Sequence, residues 1–147
     1  MKPYESLGKW ISLLYRQGQI YITNELKPYN IGYGQFPILN VLFDKDGIHQ
    51  EEISTILSID KATTGRAMKK LEKGGYVKRV RDTEDRRAYK VFLTKKGTKM
   101  QPVVHRILRQ WTDILSSDFS EDEIEVIKQL LGRMYQNALD AKYRSNN

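Results

Sequence analysis

Lys61, Thr63, Thr64, Arg66, Lys69 and Lys70 lie within one short stretch of the chain, and Arg81, Asp85, Arg86 and Arg87 lie in a second just beyond it. The first set suits a surface that reads a polyphosphate. Lysine neutralises phosphate, and arginine can make a bidentate contact to guanine. Threonine offers a hydroxyl to phosphates or base edges and a methyl to thymine. The second set suits a narrow groove of strong negative potential, into which an arginine can reach. Asp85, two residues before Arg87, is placed to hold its guanidinium in a bidentate pair. The bland alternatives are a solvated lysine-rich face for the first set and an ordinary charged turn for the second.

The elements that must carry these residues follow from spacing and punctuation. Residues 61–73 read as a helix with Asp60 as N-cap, stopped at Gly74-Gly75. Ala62, Ala67, Met68 and Leu71 form its expected buried side, opposite the polar set. Gly65 costs roughly 1 kcal/mol relative to alanine inside a helix, for which close approach to DNA and tight helix packing are equally good accounts. Residues 50–58 form a shorter helix ahead of it, presenting Ile53, Ile56 and Leu57. Residues 76–80 and 89–93 alternate apolar and polar, as two strands of a hairpin should. The charged residues at 81–87 make its turn. Two helices followed by such a hairpin are the parts of a winged helix-turn-helix.

Longer helices flank this unit. Residues 4–27 carry Leu7, Trp10, Ile11, Leu14, Tyr15, Ile22 and Leu26 near helical spacing, and Pro28 with Asn30-Ile31-Gly32 ends the run. Residues 34–44 form a second helix burying Phe36, Leu39, Leu42 and Phe43, with Pro37 tolerated in its first turn. Residues 94–116 return to helix. Ser120 and Glu123 then form a capping box for a last helix carrying Ile124, Ile127, Leu130, Leu131 and Met134. These ends hold more apolar surface than so small a reading unit can cover, which predicts packing against a second copy; the alternative is that they cover only their own core. The fold class expected is mainly α with a small β-hairpin wing. The chain divides into an N-terminal dimerisation helix (1–32), a reading domain (33–97) and C-terminal dimerisation helices (98–147).

Charge and composition narrow the function. Of a net +7, residues 60–99 contribute fourteen basic residues against five acids, so the remainder is net negative. That concentration is the electrostatic footprint of a nucleic-acid partner. Without cysteine there is no disulfide, thiolate-zinc or thiol redox chemistry, which fits a reducing cytoplasm. The opening residues lack the apolar core of a signal peptide, and no stretch approaches the ~18 apolar residues of a membrane span. His49 and His105 are the only histidines and are far apart, so no metal site is expected. Neither a nucleophile–base–acid constellation nor a phosphate-cradling glycine loop points to an enzyme, and no cofactor is implied.

Residues 60–72, with Gly75-Tyr76-Val77, and Asp82-Thr83-Glu84-Asp85-Arg86-Arg87, with Leu93-Thr94 and Gly97, resemble the MarR family of regulators, including its SlyA-like members. The similarity runs along essentially the whole chain. It implies a homodimer joined through its terminal helices that binds double-stranded DNA at palindromic promoter operators, more often as a repressor, with Asp85 and Arg87 in the minor groove. It also implies release by a small aromatic or anionic effector. The pocket for it would be lined by Trp10, Leu14, Tyr15, Tyr21, Tyr33, Phe36 and Trp111, although aromatic residues at helical spacing are more commonly core. Two positions depart from the family pattern: Gly65 replaces the commoner threonine or serine, and His49 stands where a capping serine or threonine is usual. Two other functions fit the same charge block: a non-specific architectural nucleic-acid binder, and a winged helix serving as a protein-interaction module.

Overall fold

In a computed structural model, residues 5–144 are described, with side chains to residue 141. The elements are α1 (Leu7–Leu26), a 3-10 turn (Lys27–Tyr29), α2 (Phe36–Asp44), β1 (Ile48–His49), α3 (Gln50–Leu57), α4 (Lys61–Lys73), β2 (Val77–Arg81), β3 (Tyr89–Leu93), α5 (Lys95–Lys99), α6 (Gln101–Leu115) and α7 (Glu121–Arg144). This is the mainly helical winged fold expected from the sequence. The start expected for the first helix, residue 4, lies outside the described residues; Ser6 caps α1 by accepting the Lys9 N–H at 3.1 Å.

Two compact units divide at Trp111 and Thr112. In the first, one core collects the inner faces of α1 (Ile22, Leu26), α2 (Ile38, Leu39, Leu42), α3 (Ile53), α4 (Met68, Leu71), the sheet (Val77, Val91) and α6 (Val104, Ile107). The N-terminal end of α1 takes no part in it: Leu7, Trp10, Ile11, Leu14 and Tyr15 are all exposed. In the second unit, Ser120 and Glu123 make the anticipated capping box at the head of α7. The Glu123 N–H donates to Ser120 Oγ at 3.1 Å, and the Ser120 N–H donates to Glu123 Oε1 at 3.0 Å.

The sheet has three strands, not two, in the antiparallel order β1-β3-β2. Strand β1 is only Ile48 and His49, paired to Val91 and Lys90. No alternating pattern marks so short a strand, because partners more than forty residues away create it. Asp46 Oδ1 accepts the Leu93 N–H at 2.8 Å, and the Gly47 N–H donates to the Val91 carbonyl at 2.9 Å. Gly47 makes this docking with φ +72, where a Cβ would meet the Phe92 ring at 2.8 Å.

Two boundaries and two faces differ from expectation. The helix expected over 94–116 breaks at Met100 into α5 and α6, since Pro102 has no N–H to bond the carbonyl four residues back. Helix α2 starts at Phe36, not residue 34, because Gly32 to Gln35 form a turn in which the Gly32 carbonyl accepts from Gln35 and Phe36. Ile56, expected to face inward, is exposed, as is Ala62 at the start of α4. Both sit next to the helix-to-helix turn, away from the inner faces that carry Ile53, Met68 and Leu71 into the core.

The segment Leu93-Thr94…Gly97 proves to be the joint that holds the hairpin to the end of α4. Thr94 caps α5 by accepting the Gly97 N–H at 3.1 Å, and its own hydroxyl lies 2.6 Å from the Gly75 carbonyl. A Cβ on Gly97 would sit 2.1 Å from the Tyr76 carbonyl oxygen, so only glycine fits there.

Candidate nucleic-acid interface

Helix α4 sorts its side chains into two stripes. Thr64, Ala67, Met68 and Leu71 are buried, whereas Lys61, Arg66, Lys69, Lys70 and Lys73 are exposed. At its head, Asp60 Oδ1 accepts the Thr63 N–H at 2.7 Å, the cap anticipated from the sequence, and Oδ2 accepts the Thr63 hydroxyl at 2.7 Å. Thr63 Oγ1 in turn accepts from Arg66 Nη2 at 3.1 Å. Asp60, Thr63 and Arg66 thus form a relay that holds one guanidinium over the exposed stripe. The Thr63 N–H, then its hydroxyl, pull the Asp60 carboxyl below its ordinary value, which keeps the relay ionised.

Thr64 requires a correction. The sequence placed it with the polar set, but it is fully buried. Its Oγ1 accepts the Ser54 hydroxyl at 2.8 Å and donates to the Asp60 carbonyl at 2.9 Å. With both roles of the hydroxyl filled inside the protein, Thr64 locks α3 to α4 and has nothing to offer a ligand. Ser54, its partner, is a residue that sequence reasoning missed, since no periodicity distinguishes a buried serine at that position. Gly65 is not demanded by packing: the nearest atom to an added Cβ would be Gln50 Nε2 at 3.9 Å.

Lys61 pairs with Glu51 of α3 at 2.7 Å, both side chains being more than two-thirds exposed, and this contact lowers the Glu51 carboxyl's pKa. Such an exposed pair is weakly held and easily exchanged for a stronger anion. Arg79, which the sequence counted only as charge, makes the bidentate pair of this region, with Nε and Nη2 each 3.2 Å from a Glu72 oxygen. It ties β2 to the end of α4, and the same contact lowers the pKa of Glu72.

Beyond the last ladder pair, Arg81 with Tyr89, the hairpin tip is built by its acids. Asp82 Oδ1 accepts the Glu84 N–H at 2.8 Å, and Asp85 Oδ1 accepts the Arg87 N–H at 3.1 Å. Carboxylates so close to an arginine tip are explained by these turns. The Asp85–Arg87 contact is not the bidentate pair expected: Arg87 Nε reaches the same Oδ1, at 3.4 Å. One carboxylate oxygen also bonded to the main chain cannot present the fork that a guanidinium needs. The Arg87 side chain is 93% exposed. Arg86 is exposed as well, and Arg81 donates to the Tyr89 hydroxyl at 2.9 Å. Between α3 and the hairpin runs an open cleft of 970 Å³ with Glu51, Lys61, Asp82 and Arg87 on its walls.

Of the seven residues expected to line an effector pocket, five fall into two ring clusters. Tyr33 meets Tyr15 and Phe36 edge-on at 5.4 Å each, and Tyr21 stacks on Trp111 at 5.3 Å. Burial, and next the neighbouring Tyr15, push the Tyr33 hydroxyl up to about 12, so it stays a neutral donor. Trp10 and Leu14 lie exposed on α1, outside both clusters. His105 packs edge-on to Phe43 at 5.7 Å.

A cationic helix and an arginine-tipped ribbon on one shared core define a winged helix-turn-helix protein. Comparison with known proteins agrees. The MarR family model matches residues 31–89. The chain is 33% identical over 113 residues to the HTH-type transcriptional regulator YybA of Bacillus subtilis, covering 77% of this chain and 75% of that one. A MarR transcriptional regulator from Methanosarcina mazei superimposes with a TM-score of 0.88 at 50% identity, over 91% of this chain and 96% of the other. A MarR-family regulator from Listeria monocytogenes, solved in complex with a 26mer DNA, does so with a TM-score of 0.87 at 28% identity, over 92% and 91%. The chain belongs to the MarR family of transcriptional regulators.

Proposed function

We propose that this protein is a sequence-specific DNA-binding regulator that acts as a homodimer on palindromic promoter operators and represses from them. The observation that carries this reading is the pair of exposed guanidiniums on separate prongs. Arg66 is set by Thr63 on α4, and Arg87 is set by Asp85 at the hairpin tip. Helix α4 is the element for the major groove and the hairpin is the wing for the adjacent minor groove, with Lys61, Lys69, Lys70, Arg81 and Arg86 on phosphates. The Listeria relative in complex with DNA supports the same partner. Such a regulator works in the cytoplasm, and no described helix is long and apolar enough to cross a membrane.

An anisotropy titration against the protein's own promoter and a random duplex is the test. Specific affinity should fall ~10³–10⁵-fold between 50 and 200 mM salt if 6–10 phosphates are contacted. Equal affinity for both duplexes would leave an architectural binder, and affinity indifferent to salt would leave a protein-interaction module. The reading includes release by a small aromatic or anionic ligand, supported by the two ring clusters, where the neutral Tyr33 hydroxyl could donate to a carboxylate or phenolate. Operator complexes challenged with aromatic acids should dissociate, and Tyr33→Phe should blunt the response.

A further inference from the structure

We propose that His49 is a positioning residue for the wing: its Nε2 holds the Asp82 carboxylate, so the arginine-tipped turn and the reading helix keep one fixed separation. The inference rests on the DNA-binding reading above. It concerns a side chain that stands at the N-cap of α3 yet makes no capping bond there.

The wing needs such a support. A two-stranded ribbon is marginal in water without further packing. Strand β1 braces β3 only as far as Lys90, the partner of His49, and the β2–β3 ladder ends at Arg81 and Tyr89. The tip beyond is held by the Asp82 N–H bond to Ala88 and by its own turns. His49 reaches past that limit. Its Nε2 lies 2.5 Å from Asp82 Oδ2, a contact between residues 33 apart in the chain. The other Asp82 oxygen accepts the Glu84 N–H, so this one carboxylate joins the turn carrying Asp85 and Arg87 to the start of α3. The Asp82 side chain is only 11% exposed, against 44% for His49, so water competes poorly at the carboxylate. Its pKa is held down to about 2, first by the His49 contact and second by the Glu84 N–H.

The same helix sets the other prong. Ser54 of α3 locks α4 through Thr64, while His49, at the end of α3, straps the wing. Arg66 and Arg87 are therefore both referenced to α3. A duplex offers its two grooves at a set spacing, and a wing free to swing would pay an ordering cost on binding.

The experiment is a double-mutant cycle on operator affinity with His49→Ala and Asp82→Asn, read alongside thermal melting and dimethyl-sulfate footprints, which report guanine N7 in the major groove and adenine N3 in the minor groove. Asparagine at 82 keeps a carbonyl oxygen for the Glu84 N–H, so the turn survives while the strap is weakened. Each single change should weaken binding roughly tenfold, the scale of one charge-assisted bond. The double change should weaken it no further. Minor-groove protection should fade while major-groove protection by α4 persists, and His49→Gln, whose amide can donate to Asp82, should recover part of the affinity. A merely structural role would weaken both protections alike, in step with any fall in melting temperature, which would overturn the proposal. Additive losses, or an unaltered footprint in His49→Ala, would overturn it too. If wild-type protein shows no operator preference, the DNA-binding reading itself has failed, a result separable from these.

Discussion

At the scale of single residues, Thr64 and Arg66 divide the two tasks of one helix. Thr64 spends its hydroxyl wholly inside the protein, between Ser54 and Asp60. Thr64→Val keeps the shape but leaves the buried Ser54 hydroxyl only a long 3.4 Å bond to the Gln50 carbonyl. The expected cost is ~1–3 kcal/mol in urea denaturation, with operator affinity of the folded fraction unchanged. A large loss of affinity without loss of stability would return Thr64 to the DNA surface. Arg66 faces the other way. Arg66→Ala should relax base preference at one operator position, worth ~1–3 kcal/mol. Lys69→Ala should weaken all sequences alike and lower the salt slope by about one. Base-substituted operators titrated against both variants distinguish these outcomes.

At the scale of elements, the recognition helix and the wing each carry a testable weakness. Glycine at 65 leaves α4 less helical than it need be, and the surroundings leave room for a methyl. Gly65→Ala should stabilise the protein by roughly 1 kcal/mol, read as a raised Tm. Weakened operator binding in the same variant would show that close backbone approach to DNA is what the glycine serves. The wing depends on ionised Asp82, whose carboxyl drops from 3.8 to about 2 on folding. A depressed carboxylate stabilises the folded state fully above its unfolded value and loses that contribution as pH falls through its folded one. Acid should therefore loosen the wing between about pH 4 and pH 2. Melting curves of wild type should drop through that window more steeply than those of Asp82→Asn; parallel curves would reject the strap as an acid-sensitive contact. Glu51, Asp60 and Glu72, also lowered, act in the same direction.

At the scale of the whole molecule, the first unit leaves an apolar stripe on α1 from Leu7 to Tyr15, and the second exposes Val126, Ile127, Leu130 and Leu131 on α7. Exposed apolar surface of this kind marks an interaction site, and under the proposed function a second copy covers each of the two. Replacing Ile11 and Leu14 by glutamate should convert a dimer into a monomer in sedimentation velocity and abolish preference for palindromic over half-site DNA. An unchanged sedimentation coefficient would place the interface elsewhere.

What could be read along the chain was local: helical periodicity, the Asp60 cap, the Ser120 capping box, the alternation in β2 and β3, and the block of positive charge. Each is set by side chains within a turn or two of one another, so spacing alone reveals it. The tertiary structure decided what depends on distant partners. Pairing with β3 creates β1, and packing against α3 turns Thr64 inward. The course of the wing brings Asp82 to His49, and among the described residues the apolar side chains of α1 and α7 stay exposed. A hydroxyl or an imidazole is chemically ambiguous until its neighbour is known, and in this protein those neighbours come from other elements of the fold.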